Sequence, residues 1–167
     1  AIWTANETVS PWLTPAYPLT GVTANFEARI AGNWVVNVKF EFNVPGVGVQ
    51  EVTNSVTFTV VPGPLTSITL ADDIQITADD SFDLMPESRD GWGNDLPEEY
   101  LQWFIFDSAS APATCSSAVP GWTEISTEMR DANYVWDATT VGEYTICAVG
   151  GDAQPKMSVV NVTYGEV

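Results

Sequence analysis

Carboxylates dominate the reactive side chains of this 167-residue chain: 22 Asp and Glu stand against 5 Lys and Arg, with no His. Ten of the acids crowd one stretch, at Asp72, Asp73, Asp79, Asp80, Asp83, Glu87, Asp90, Asp95, Glu98 and Glu99. Oxygen clusters on turns suit a hard cation such as Ca²⁺, which takes about six to eight oxygen ligands. Asp72, Asp73, Asp90 and Asp95 are the candidate metal ligands, and Ca²⁺ is the one cofactor this composition would suit. The spacing matches no EF-hand loop, however. A solvated acidic surface, built for solubility or high salt, is the plainer reading. The adjacent Glu98 and Glu99 would diverge on an extended chain, unlike the facing carboxylate pair of a glycosidase. Lack of His removes Ser-His and Cys-His couples, the commonest general base and most zinc sites. No catalytic residue is expected.

The formal net charge of −17 is unevenly spread. Residues 1–64 carry Glu7, Glu27, Glu41 and Glu51 against Arg29 and Lys39, a net −2, which leaves −15 for the remainder. Such a field repels phosphate backbones, so nucleic acid and anionic membrane surfaces are poor partners. No apolar run approaches the roughly 20 residues of a membrane span. The chain begins at Ala1 without a signal-peptide core, which is expected of a processed mature form or of a piece of something longer. At 45% hydrophobic residues it can bury a sizeable core.

The elements that must position these groups are strands. In Asn33–Phe42, Trp34, Val36, Val38, Phe40 and Phe42 alternate with Val35, Asn37, Lys39 and Glu41, which predicts one buried and one wet face. Ser55–Val61 (Val56, Phe58 and Val60 inward) and Ser158–Tyr164 (Val160, Val162 and Tyr164 inward) repeat the pattern. Shorter β-rich runs lie at Ser67–Leu70, Ile74–Thr77 and Ser81–Leu84, while Leu101–Phe106 is apolar on both faces. Turn residues punctuate them at Pro45-Gly46, Pro62-Gly63-Pro64, Asp90-Gly91 and Gly93-Asn94. Pro97–Tyr100 could form one helical turn. Many short strands between turn signals predict an all-β sandwich.

Laid against itself, the chain repeats. Ile2-Trp3-Thr4 resembles Gln102-Trp103-Phe104 at an offset of 100, Ala31–Val36 resembles Val141–Ile146 at 110, and Phe58-Thr59-Val60 resembles Val160-Asn161-Val162 at 102. The anchors keep their order, so two tandem β-sandwich domains are expected, 1–64 and 65–167. The second has Leu65–Leu101 as early strands ahead of Trp103. The first has almost nothing ahead of Trp3 and would lack its opening strands, exposing a sheet edge and core. Either a missing amino-terminal segment or another chain would complete it.

The tryptophan on a central strand, the Gly-acid-aromatic turn opening a late strand and the Pro-Gly-Pro joint resemble bacterial and archaeal immunoglobulin-like repeats. Asp90-Gly91-Trp92-Gly93-Asn94-Asp95 is similar to the Asp-x-x-Gly-Asn loop of invasin-type repeats. That resemblance covers the second copy fully and the first from its third strand. It implies extracellular stalks, adhesins, surface-layer subunits and filaments, and no shared catalytic residues. Antibody-like domains bridge two facing strands with a disulfide, but here Cys147 falls out of phase and is expected to face outward. A Cys115–Cys147 bridge pinning the intervening loop on the outer face is the preferred reading, and two unpaired thiols the alternative. A bridge would indicate an oxidising, extracellular setting.

Asn6-Glu7-Thr8 and Asn161-Val162-Thr163 are N-glycosylation sequons, and strand parity turns Asn161 outward, as on an archaeal or other glycosylating surface. Among the 7 Trp, Trp3, Trp34 and Trp103 hold repeated core positions, whereas Trp12, Trp92 and Trp122 fall in loops or turns. Trp12, among Pro11, Pro15 and Pro18, is a candidate assembly contact, together with Trp3 at the open end. The sequence therefore predicts a non-catalytic cell-surface subunit of a filament or surface layer. Its partners would be copies of itself or other domains of one surface protein. The alternative is an adhesion or carbohydrate-binding module, of a larger surface protein or secreted enzyme, that uses Trp92 and Trp122.

Overall fold

In the computed structural model the chain is all-β. Residues 2–5, 13–14, 19–20, 27–78, 80–97, 99–129 and 134–165 are described, with side chains at 27–78, 80–97, 99–125 and 135–165. The chain divides into two compact units, Ala1–Pro62 and Gly63–Val167.

The amino-terminal unit contains β1 (Ile2–Ala5), β2 (Leu13–Thr14), β3 (Leu19–Thr20), β4 (Glu27–Ala28), β5 (Gly32–Val44) and β6 (Gly48–Val60). Its main sheet has the order β3-β1-β5-β6, and β2 pairs separately with β4. A single turn joins the two 13-residue strands β5 and β6. Pro45 supplies the fixed φ of its second position, Gly46 the positive φ of 84° at its third, and the Val47 N–H donates to Val44 O at 3.0 Å. Trp34 and Val36 are buried, as the alternation predicts. Phe40, Phe42 and Val56 are not: Phe40 is 47% exposed and Val56 61%. At Phe40 and Phe42 the described sheet is only two strands wide, since β1 accompanies β5 just from Val36 to Lys39.

The carboxy-terminal unit contains β7 (Leu65–Thr69), β8 (Asp73–Thr77), β9 (Ser81–Leu84), β10 (Glu87–Asp90), β11 (Tyr100–Phe106), β12 (Trp122–Met129), β13 (Tyr134–Asp137), β14 (Gly142–Val149) and β15 (Lys156–Thr163). One layer is the five-stranded sheet β12-β11-β14-β15-β8, and the pairs β10-β7 and β13-β9 supply the opposing strands. The opening segment thus changes sheets, β7 pairing antiparallel with β10 and β8 parallel with β15. Leu65, Ile68, Ile74, Ile76, Leu84, Leu101, Trp103, Ile146, Val160 and Val162 form the buried core. Leu84, Trp103 and Ile146 are among its most deeply buried members, so hydrocarbon rather than a disulfide fills this core. The segment at Pro97 is a turn, with the Glu99 N–H donating to Leu96 O at 3.3 Å, and Tyr100 already belongs to β11. Tyr164, expected inward, lies past the end of β15 and is exposed.

The two main sheets share strand order and register. Trp3 stands opposite Val38 and Trp103 opposite Ala148; Trp34 stands opposite Phe58 and Tyr144 opposite Val160. These pairs match the offsets of 100, 110 and 102. A corner repeats as well: the Trp34 indole N–H donates to Ile30 O and the Tyr144 hydroxyl to Thr140 O, each at 3.0 Å and four residues back. The second is the tyrosine corner of immunoglobulin-type sandwiches. In the first, an indole makes the same bond.

Packing behind β11 leaves no room at Gly150, where a Cβ would lie 2.6 Å from Leu101 Cδ2 and 3.2 Å from Tyr100 O. Gly150→Ala should therefore cost about 1–3 kcal/mol of stability in this unit, read by chemical denaturation.

Candidate functional site

The outer edge of β6 is the surface with the clearest unmet demand. Every rung from Gly32↔Val60 to Val44↔Gly48 is paired without a bulge, so β6 presents a long flush edge. No strand covers its other side among the described residues. Free edges are normally blunted by Lys, Pro, bulges or brevity. Here no charged residue occurs from Val52 to Ala71. On the wet face Lys39 Nζ bridges Glu41 Oε1 at 3.0 Å and also meets Glu51 Oε2, which leaves this trio a net −1. Hydrogen bonding first to Glu51 and then to Glu41 raises the Lys39 pKa. The other face carries Phe40 and Phe42, stacked with centroids 5.9 Å apart, together with the exposed Val52 and Val56. Sequence reasoning did not single out this edge, although the uncharged run was there to be read.

The four candidate metal ligands are not gathered into one site. Asp90 is 4% exposed, and N–H donors occupy its carboxylate. Oδ2 accepts from Gly63 N at 2.8 Å and Asn94 Nδ2 at 2.7 Å; Oδ1 accepts from Trp92 N at 2.8 Å and Asn94 N at 2.9 Å. Burial pushes this carboxyl up, but the hydrogen bonds from Asn94, Gly63 and Trp92 outweigh burial and hold it at about 2. Asp90 is thus an anchor tying the Gly63 backbone to the 91–94 loop. The remaining three acids are exposed: Asp72 pairs with Lys156 Nζ at 3.0 Å, Asp73 opens β8, and Asp95 stands opposite Arg89 in an isolated bridge. Among the described residues, no group of three or more His, Cys, Asp or Glu is close enough to hold a metal ion.

Cys115 and Cys147 form a disulfide with Cα atoms 6.3 Å apart. Cys147 lies on the outer face, as expected, opposite the core residues Ile146 and Ala148, and is fully buried there by the loop that the bridge holds down. The 107–121 loop folds over that face, and Phe104, Cys115, Trp122 and Cys147 make a second small core. Thr145 Oγ1 ties the loop down by donating to Ser108 O at 2.7 Å. Trp122, taken from sequence as a loop aromatic, begins β12 and packs edge-on against Phe106 with centroids 5.3 Å apart. It offers no sugar platform beside Trp92, which is 53% exposed. Asn161 is half-buried on β15, between Glu143 of β14 and Gln75 of β8. Trp12 and Asn6 lie outside the described residues, and Trp3 is placed by its backbone alone, in β1.

No protein-family model and no curated protein matches this sequence. Among solved structures the chain is similar to surface layer protein SbsC domains 1–6, at 16% identity and TM-score 0.39, covering 99% of this chain and 20% of that one. Domains 4 and 5 of the S-layer protein SbsC match at 14% identity and TM-score 0.37, covering 96% of this chain and 75% of that one. The titin domains Z1Z2 in complex with telethonin match at 10% identity and TM-score 0.30, covering 82% of this chain and 62% of that one. The chain spans about a fifth of the length of the first of these.

Two outcomes follow from the carboxy-terminal unit. The Asp90 value of about 2 lies below the ordinary 3.8, so its contribution is full above pH 3.8 and vanishes as pH falls through about 2. Asp90→Asn should cost on the order of 2 kcal/mol at neutral pH and flatten that acid limb in pH-dependent urea melts. Replacing both cysteines by Ser should remove about 3–4 kcal/mol, the chain-entropy contribution of this loop, read as a lowered Tm of that unit.

Proposed function

We propose that this chain is a non-catalytic, extracellular structural subunit of a surface layer or filament that assembles by strand complementation. The β6 edge accepts a strand from a second copy, which satisfies its main-chain groups and covers the open apolar face. The carrying observation is the combination at β6: a flush 13-residue edge strand without charge beyond Glu51, backed by exposed Phe40, Phe42, Val52 and Val56. A donor segment away from the β6 edge makes the contact heterologous, the kind that propagates into an open polymer when its rotation does not close a ring. The Cys115–Cys147 bridge suits an oxidising extracellular compartment. The amino-terminal segment is close to neutral, so its edge can approach another copy despite the overall charge of −17.

Light scattering across a dilution series of the full chain tests this. Mass should rise with concentration, and Val56→Lys, which puts a charge on the open face at a position already 61% exposed, should leave a folded monomer. A wild-type chain that stays monomeric at every concentration and melts cooperatively would overturn the proposal.

A further inference from the structure

The carboxy-terminal unit holds a template for the strand that the β6 edge lacks among the described residues. Its own edge position is filled by β8, which runs parallel to β15 with Asp73, Ile74, Gln75, Ile76 and Thr77 opposite Val159, Val160, Asn161, Val162 and Thr163. Main-chain bonds bracket the pair: the Val159 N–H donates to Asp72 O at 3.2 Å and the Ala78 N–H to Thr163 O at 2.8 Å. Residues 159, 161 and 163 therefore turn their backbone groups toward β8, while Val160 and Val162 share the core face with Ile74 and Ile76. All four side chains are buried, Val160 and Val162 almost completely.

At the repeat offset of 102, Val159–Thr163 corresponds to Thr57–Val61 of the amino-terminal segment. Phe58 and Val60, the counterparts of Val160 and Val162, are only half-buried. We infer that the β6 edge takes an extended five-residue segment running parallel to Thr57–Val61, with apolar side chains at its second and fourth positions opposite Phe58 and Val60. This rests on the strand-complementation reading and gives it a direction, a register and a chemistry for the donor.

A further equivalence defines the approach. Ser158 corresponds to Val56 and is covered by the lead-in to β8, its hydroxyl donating to Ala71 O and Asp72 O. Val56 has no hydroxyl and is exposed, so the donor's lead-in covers it with an apolar group rather than with carbonyl acceptors. The middle donor residue faces the side of Thr57 and Thr59, where the strand carries no charge, and it is neutral as Gln75 is. An acidic or basic residue at the second or fourth position would be buried without a partner and is excluded.

A peptide with the sequence of Ala71–Ala78 is a suitable probe, added in excess to the full chain and compared with the same peptide carrying Ile74→Asp and Ile76→Asp. Amide exchange followed by NMR should slow by about tenfold or more at Thr57, Thr59 and Val61 with the first peptide and stay unchanged with the second. A nitroxide on the peptide amino terminus should broaden resonances around Thr57 more than around Val61. Equal slowing by both peptides or broadening centred at Val61 would overturn the register and direction while leaving strand acceptance standing, and slowing confined to β15 would overturn the inference that β6 takes this kind of segment. Protection of Thr57, Thr59 and Val61 in the dilute, peptide-free chain would instead overturn strand complementation itself, because the chain would already fill the edge.

Discussion

A β-strand carries hydrogen-bonding groups along both edges, and each edge must meet another strand, water or a deliberate obstacle. The architecture here turns on that constraint. In the carboxy-terminal unit the opening segment supplies β8 to the edge of β15 and then β9 and β10 to the opposing layer. With both faces and that edge satisfied, Leu101, Ile146, Val160 and Val162 become fully buried. The amino-terminal sheet has the same strand order with no counterpart of β8 among the described residues. Among the described residues no strand pairs with the outer edge of β6, and Phe40, Phe42, Val52 and Val56 are exposed.

Polar groups follow the same accounting. A buried carboxylate is tolerated at Asp90 because four N–H donors meet it, and the geometry that satisfies it also holds the Gly63 backbone against the 91–94 loop. The acidic surplus elsewhere is solvated, as at Asp72 and Asp73, and shapes solubility rather than folding. The disulfide belongs to a different layer from the antibody bridge it brings to mind. It holds a loop across the outer face of the sheet, where Trp122 and Phe104 give it a dry setting, and leaves the inter-sheet position to hydrocarbon.

Strand positions were legible in the sequence because a period of two and Pro-Gly punctuation are local signals: Ser81–Leu84 is recovered to the residue, and Pro45-Gly46 does turn the hairpin. The register pairs Trp3–Val38 and Trp103–Ala148 were implicit in the self-alignment, since equivalent residues in equivalent strands face equivalent partners. Parity failed where burial depended on something outside the strand. Phe40 and Phe42 have the inward phase yet stay exposed, while Cys147 has the outward phase, as expected, and is buried there by the loop bridged to it.

What the sequence determined by itself is therefore the class of fold, the turns, the lack of histidine chemistry and the sign of the surface field. Each depends on composition or on neighbours a few residues away. Tertiary structure alone decided which faces are dry and which carboxylate is an anchor. It also decided which strand edges have partners among the described residues. Those outcomes depend on segments tens of residues distant, such as β8 against β15 or Gly63 against Asp90, and no local period records whether such a segment arrives.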